Sequence, residues 1–234
     1  PLRIGKIKNF FNEQVHSDVQ KELQKCEDLL NKKNFEVVDI NLENIELSVD
    51  VYYLIAMSEA SSNLSRYDGV RYGYRADFEK NPPKNLEDFY SRTRTEGFGE
   101  EVKRRIALGT YALSSGYYEA YFVQAAKIRR LIQNAFIEAF KTVDLLIAPV
   151  TAHSAFKSGE KIHDPLSMYY NDVFTTCVNL AGLPAASVPV GFDSQGLPIG
   201  IQIIGNFFKE DQIFSLSQLF EDTFKAYQEV PHVI

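Results

Sequence analysis

The chain has 234 residues, 45% hydrophobic and 24% charged, enough for one large core or two small ones. Its formal charge of -6 argues against a nucleic-acid surface spread over the whole molecule. Cys26 and Cys177 form no metal-type spacing, and no apolar run approaches the ~20 residues a bilayer demands, which points to a chain without a membrane part in the reducing cytoplasm.

The first residues, "PLRIGKI", lack the charged-then-apolar layout of a signal peptide and read as a strand already in progress, as in a piece of something longer. Arg3 to Ile7 is the strand. Ser17 opens a helix with Val19, Leu23, Cys26 and Leu30 at helical spacing, and Ser17 with Gln20 reads as a capping box. Phe35 to Ile40 is a second strand, so strand, helix, strand predicts a parallel pair. A helical region follows from about Asp50 to Arg66. On it Tyr52, Glu59, Asn63 and Arg66 share one side, beside a small or apolar side of Val51, Ile55, Ser58 and Ser62. The run "RYDGVRYG" then leaves the helix, with Gly69 and Gly73 free for positive φ and Asp68 within reach of Arg66 or Arg71. Pro82-Pro83 marks a loop over Arg75 to Leu86.

Glu100 to Phe140 reads as a long helical stretch with an interruption near "SSGYYEA". Its first part has an inner face of Val102, Ile106, Gly109 and Leu113, with Arg105 on the flank and Lys103 and Arg104 toward solvent. "VDLLIAP" is a buried strand, and a polar loop covers Thr151 to Asp164. A helix is expected over Ser167 to Ala181, stopped by Gly182 and Pro184. At about 100° per residue, Asp172, Thr175, Thr176 and Asn179 make a narrow polar stripe on that otherwise apolar helix. A buried carboxylate there needs a hydrogen-bonding or cationic partner. Two strands, "AASVPVGF" and "IGIQIIG", joined by "DSQGLP", and an amphipathic helix close the chain. The sum is a single α/β domain over 1–234, with helices on a mixed sheet.

These residues describe a polar pocket without a reactive group. No G-x-S-x-G elbow and no phosphate-binding glycine loop occurs, the four histidines lack metal-ligand spacing, and Ser114-Ser115-Gly116 reads as a small-residue packing site. An Arg that cannot lose its proton, flanking an inner face, seeks a carboxylate or phosphate. A structural network of Arg and Asp satisfies the same pattern.

"YYLIAMSEASSNLSRYDGVRYG" and "FGEEVKRRIALGTYALSSGYYEAYF", with "DPLSMYYNDVFTTCVNLAGLPAASVPVGF" and "LPIGIQIIG", resemble the A subunits of the glutamine-dependent Glu-tRNA(Gln)/Asp-tRNA(Asn) amidotransferases, a branch of the amidase signature family. The "NLAGLPAASVP" and "LPIGIQIIG" portions are common to the wider family, and "SEASSNLSRYDGVRYG" looks particular to this branch. The resemblance implies an α/β/α sandwich around a mixed sheet, and a subunit that hydrolyses glutamine with a Ser–cis-Ser–Lys set. Ammonia then passes to the B subunit, which amidates misacylated tRNA using ATP and Mg, with the C subunit bracing both. The "GGSSGG" type motif that carries the serines is absent from this chain, so the resemblance is to the C-terminal half only. It implies no catalytic residue, no metal and no cofactor bound directly here. By motif matching it implies a glutamine-binding wall in which Arg105 grips the α-carboxylate, Asp172 the α-ammonium, and Tyr52 borders the pocket. Two other readings stay open: an interaction module that only docks onto partner subunits, and a fragment of a general amide hydrolase. A longer reading frame bearing "GGSSGG" upstream separates the first of these from the enzyme part. Ammonia release from varied amides without the B subunit, ATP or tRNA marks the second.

Overall fold

The computed structural model describes residues 2–11, 15–159 and 171–229. Strand β1 is Arg3–Ile7, helix α1 Ser17–Lys32 and strand β2 Glu36–Ile40. Helices α2 (Ser48–Leu64), α3 (Leu86–Gly97), α4 (Glu100–Ala112) and α5 (Gln124–Ala139) follow. Then come β3 (Leu145–Pro149), α6 (Thr176–Ala181), β4 (Ala185–Phe192), β5 (Pro198–Gly205) and α7 (Glu210–Phe224). By internal contacts the chain divides into two compact units, one formed by Pro1–Val49 with Ile128–Ile234 and one by Asp50–Lys127.

The first unit holds a five-stranded sheet in the order β2-β1-β3-β5-β4. Both neighbours of β1 run parallel to it, Ile4 lying opposite Val37 on one side and Leu145 on the other. The pairs β3–β5 and β4–β5 are antiparallel. The mixed sheet and the parallel β1–α1–β2 unit are as the spacing predicts. All of β3 and Ile201–Gly205 of β5 are buried, so both faces of the central strands are covered, as in a sheet layered with helices. Ile4, Leu145, Ile147, Ile201 and Ile203 are among its fully buried side chains, each worth about 1.5–3 kcal/mol of burial.

Helix α1 starts where the sequence places it, but with a different cap. His16 is the N-cap residue, and its Nδ1 accepts from the Asp18 amide at 3.3 Å. Gln20 turns back to donate to the Val15 carbonyl at 2.8 Å, so the expected Ser17–Gln20 box does not form. The imidazole nitrogen takes one orphan N–H of the first turn, and the Gln20 amide ties that turn to the Val15 carbonyl before it. The expected helix over Ser167 to Ala181 is also shorter. Its residues 167–170 lie outside the described ones, residues 171–175 form turns, and α6 begins only at Thr176. The turns are held by the sheet. Buried Gln202 of β5 donates to the Phe174 carbonyl at 3.0 Å, Phe174 packs on Phe10, and Thr176 Oγ1 bonds Ser48 Oγ at 3.1 Å. At the other end Gly182 takes φ 74°, and Arg129 and Gln133 donate to the carbonyls of Leu180 and Ala181.

In the second unit, α2 and α4 meet through a missing side chain. A Cβ on Gly109 would sit 2.0 Å from the Met57 carbonyl oxygen and 2.8 Å from Ser61 Cβ. Ser61 Oγ and Thr110 Oγ1 share a hydrogen bond of 2.9 Å. Helix α3, over "LEDFYSRTRTEG", is an element that sequence periodicity does not reveal. Asn85 caps it by accepting from the Asp88 amide at 2.8 Å.

Gly109→Ala has a helix-propensity gain of about 1 kcal/mol, against an overpacking cost of about 1–3 kcal/mol. Because the clash is with backbone, the cost wins. The variant is expected to unfold at lower denaturant than the wild type, checked by equilibrium denaturation. A second expectation concerns acid. Asp144 lies below the usual carboxylate range because the Arg3 guanidinium and amide donate to it. Asp193 lies there because the Ser154 hydroxyl and the Leu197 and Gln195 amides do. A depressed native pKa gives stability that is present above the unfolded value of about 3.9 and is lost as pH falls through the native value. Stability therefore drops on acidification below about pH 4, and Asp193→Asn flattens that dependence. Equal slopes for wild type and variant would contradict it.

Candidate functional site

Arg105 is the cation the sequence singles out, and α4 places it on the flank as expected. Its side chain is 32% exposed, against 49% for Arg104. Its guanidinium carbon lies 5.6 Å from the centre of the Tyr53 ring, a cation–π arrangement. Tyr53 in turn meets Tyr52 edge-on, with ring centres 5.1 Å apart. The Nε of Arg105 donates to Glu101 Oε1 at 2.9 Å. Burial pulls the guanidinium's pKa down, but the Glu101 hydrogen bond and the charges of Glu101 and the two tyrosines more than offset it. The group is a fixed cation at any physiological pH.

The helix pairing explains why these side chains meet. Tyr53, Met57 and Ser61 are spaced by four along α2, and Arg105 and Gly109 likewise along α4. Arg105 faces Tyr53, Gly109 faces Met57 and Ser61, and Thr110 faces Ser61. The two helices run in the same direction at this contact, and the close approach at Gly109 sets Arg105 over its aromatic floor. Tyr52 and Arg105 are thus gathered in one unit, with Tyr53 between them. Sequence reasoning missed Tyr53 and Glu101. The signal for Glu101 was its place four residues before an Arg.

Asp172 belongs to the other unit. It is exposed, in the turn one helical step ahead of α6, and its carbonyl accepts from the amides of Thr175 and Thr176 at 3.0 Å. The polar stripe divides: Asp172 and Asn179 face solvent, whereas Thr176 is buried on Ser48.

The polar run after α2 is a braced loop. Gly69 and Gly73 take φ of 72° and 88°, as expected. Asp68 pairs with backbone rather than with an arginine side chain, accepting from the amides of Val70 and Arg71 at 2.9 and 3.2 Å. These bonds hold its pKa below the usual carboxylate range. Arg75 donates to the carbonyls of Gly69 and Val70, and Arg94 of α3 to those of Leu64 and Tyr67. Buried Thr93 of α3 backs Gly69, where a Cβ would come within 2.6 Å of Thr93 Cγ2. Tyr67, Tyr72 and Tyr74 stay exposed.

The residues that look reactive have other tasks. Ser114 donates its hydroxyl to the Tyr111 carbonyl at 2.7 Å, in the turn that ends α4. Burial pushes both thiols up, Cys177 to about 12, so neither is a ready nucleophile. Among the described residues there is no group of three His, Cys, Asp or Glu placed to hold a metal, and no helix long and apolar enough to cross a membrane.

Residues 1–214 match the family model described as Amidase. The A subunit of the Glutamyl-tRNA(Gln) amidotransferase of Bdellovibrio bacteriovorus is 49% identical over 233 residues, covering 100% of this chain and 48% of that protein. That of Nostoc punctiforme is 49% identical over 232 residues, covering 99% of this chain and 47% of that protein. The chain therefore spans about half the length of these curated relatives. Among solved structures, the A subunit of Glutamyl-tRNA(Gln) amidotransferase from Thermotoga maritima superposes with a TM-score of 0.70 at 35% identity, over 95% of this chain and 42% of that one. A 6-aminohexanoate cyclic dimer hydrolase gives 0.73 at 17% identity over 99% of this chain and 47% of that one, which speaks to the fold alone. Sheet, helices and matches agree that this chain belongs to the amidase family.

Proposed function

We propose that this chain is the C-terminal part of the glutaminase subunit of a tRNA-dependent amidotransferase and supplies the wall that binds glutamine. The observation that carries the reading is Arg105, half-buried, over the Tyr53 ring and close to Tyr52, in a chain 49% identical to curated amidotransferase A subunits. An Arg held this way suits a carboxylate, which it can meet with two parallel hydrogen bonds. Asp172 is assigned the α-ammonium, so that a cation and an anion together select a zwitterionic amino acid. Both units would then form one amidase-type domain with the rest of the subunit.

In this reading the nucleophile, its relay serine and its lysine base lie in the remainder of the subunit, and this chain binds no cofactor itself. The ammonia released serves the B subunit, which uses ATP and Mg to amidate Glu-tRNA(Gln) or Asp-tRNA(Asn), with the C subunit as the third member, in the cytoplasm. A second reading, a docking module without catalysis, is favoured by the exposed tyrosines of the braced loop, Tyr67, Tyr72 and Tyr74. An aromatic surface of that kind suits a protein partner.

In the full-length subunit, Arg105→Ala and Asp172→Ala are each expected to lower glutaminase kcat/KM about 100-fold or more, as loss of a charge-assisted contact to the ligand implies. Unchanged kcat/KM in both variants would refute the binding-wall assignment. The chain alone is expected to release no ammonia from glutamine. Steady ammonia production from the purified 234-residue chain would overturn the division of labour.

A further inference from the structure

We infer that Glu101 is a positioning residue for Arg105, one that fixes which edge of the guanidinium meets the substrate. The inference rests on the reading of Arg105 as the carboxylate clamp. A guanidinium offers a carboxylate two edges, one made by Nε with a terminal nitrogen and one made by the two terminal nitrogens. Glu101 Oε1 occupies Nε at 2.9 Å, which closes the first edge. No other hydrogen bond to Arg105 occurs among the described residues, so both terminal nitrogens stand available on the second edge. The guanidinium carbon lies over the Tyr53 ring, 5.6 Å from its centre, so the ring takes up one side of its surroundings. Ring and carboxylate together leave the outer fork as the way in for an anion.

Glu101 is itself held. Its second oxygen, Oε2, takes a hydrogen bond from Arg104 Nη1 at 2.5 Å. The three residues form a chain along one helix, Arg104 to Glu101 to Arg105, at spacings of three and four. Two cations share one anion, so a positive charge is left over for a ligand carboxylate. The surplus explains why Glu101 orders Arg105 without cancelling it. A long, flexible Arg that is already fixed gives up less freedom when the ligand arrives. The opposite possibility is that Glu101 competes with the ligand, in which case its removal would tighten binding. The sign of the effect separates the two.

The test uses the full-length subunit, with glutamine and with glutaminamide, which lacks the α-carboxylate. Glu101→Ala is expected to raise KM for glutamine about three- to tenfold, with kcat within about twofold. It should leave KM for glutaminamide unchanged. Glu101→Gln keeps an oxygen that accepts from Nε and should restore most of the loss. An unchanged or lowered KM for glutamine in Glu101→Ala overturns the inference. So does an equal rise for both substrates, which marks a merely structural role. Arg105→Ala runs alongside as the check on the underlying reading. If it leaves KM for glutamine unaltered, the clamp itself is wrong and the role of Glu101 falls with it. If it raises KM while Glu101→Ala does not, only the positioning role fails.

Discussion

The contact between α2 and α4 at Gly109 governs the part of the molecule that matters most. A helix backbone can come this near another only where no Cβ intervenes, and the Met57 carbonyl fills the space a Cβ would need. The register that follows is fixed by side chains spaced at four. Once Gly109 sits on Met57, Arg105 one turn earlier must lie by Tyr53, and Thr110 must lie by Ser61. A cation is thereby lodged in a half-buried place without leaving water altogether. That is a workable arrangement for a group that cannot shed its proton and must keep its edges hydrogen-bonded. The surface ion pairs around it contribute little to stability, typically less than about 1 kcal/mol each. Their effect is on direction.

Several features of the fold were legible because they rest on periodicity. The parallel β1–α1–β2 unit follows from an apolar run, an amphipathic helix and a second apolar run. The buried β3 follows from "LLIAP", which has no polar face at all. Gly69 and Gly73 were legible because a turn so rich in polar residues needs positive φ somewhere. The flank position of Arg105 came from helical geometry alone, since its distance in angle from Ile106 and Gly109 depends only on the pitch.

What the sequence hid was set by tertiary contacts. Helix α3 has a single buried residue, Thr93, and so presents no apolar stripe to read. Its reason to exist is to bring Thr93 and Arg94 under the loop after α2. The turn at 171–175 looks helical, because Val173, Phe174 and Cys177 fit a 3.6-residue period. Yet Gln202, two strands later, captures the Phe174 carbonyl, and Phe10 captures its ring. The N-cap of α1 went to an imidazole, which competes with a hydroxyl only when its ring is held close by. Tyr53 was passed over because its neighbour Tyr52 carried the motif. Only the register of α2 on α4 shows that the ring behind Arg105 belongs to Tyr53.

Where the head group of glutamine sits decides whether Arg105 is a ligand clamp or a helix brace. The most direct measurement is a crystal structure of the full-length subunit with L-glutamine bound. The α-carboxylate should lie on the two terminal nitrogens of Arg105 at about 2.7–3.2 Å, with Glu101 still at Nε and the ammonium on Asp172. A carboxylate bound elsewhere, with Arg105 left on Tyr53 and no ligand oxygen in reach, would contradict it.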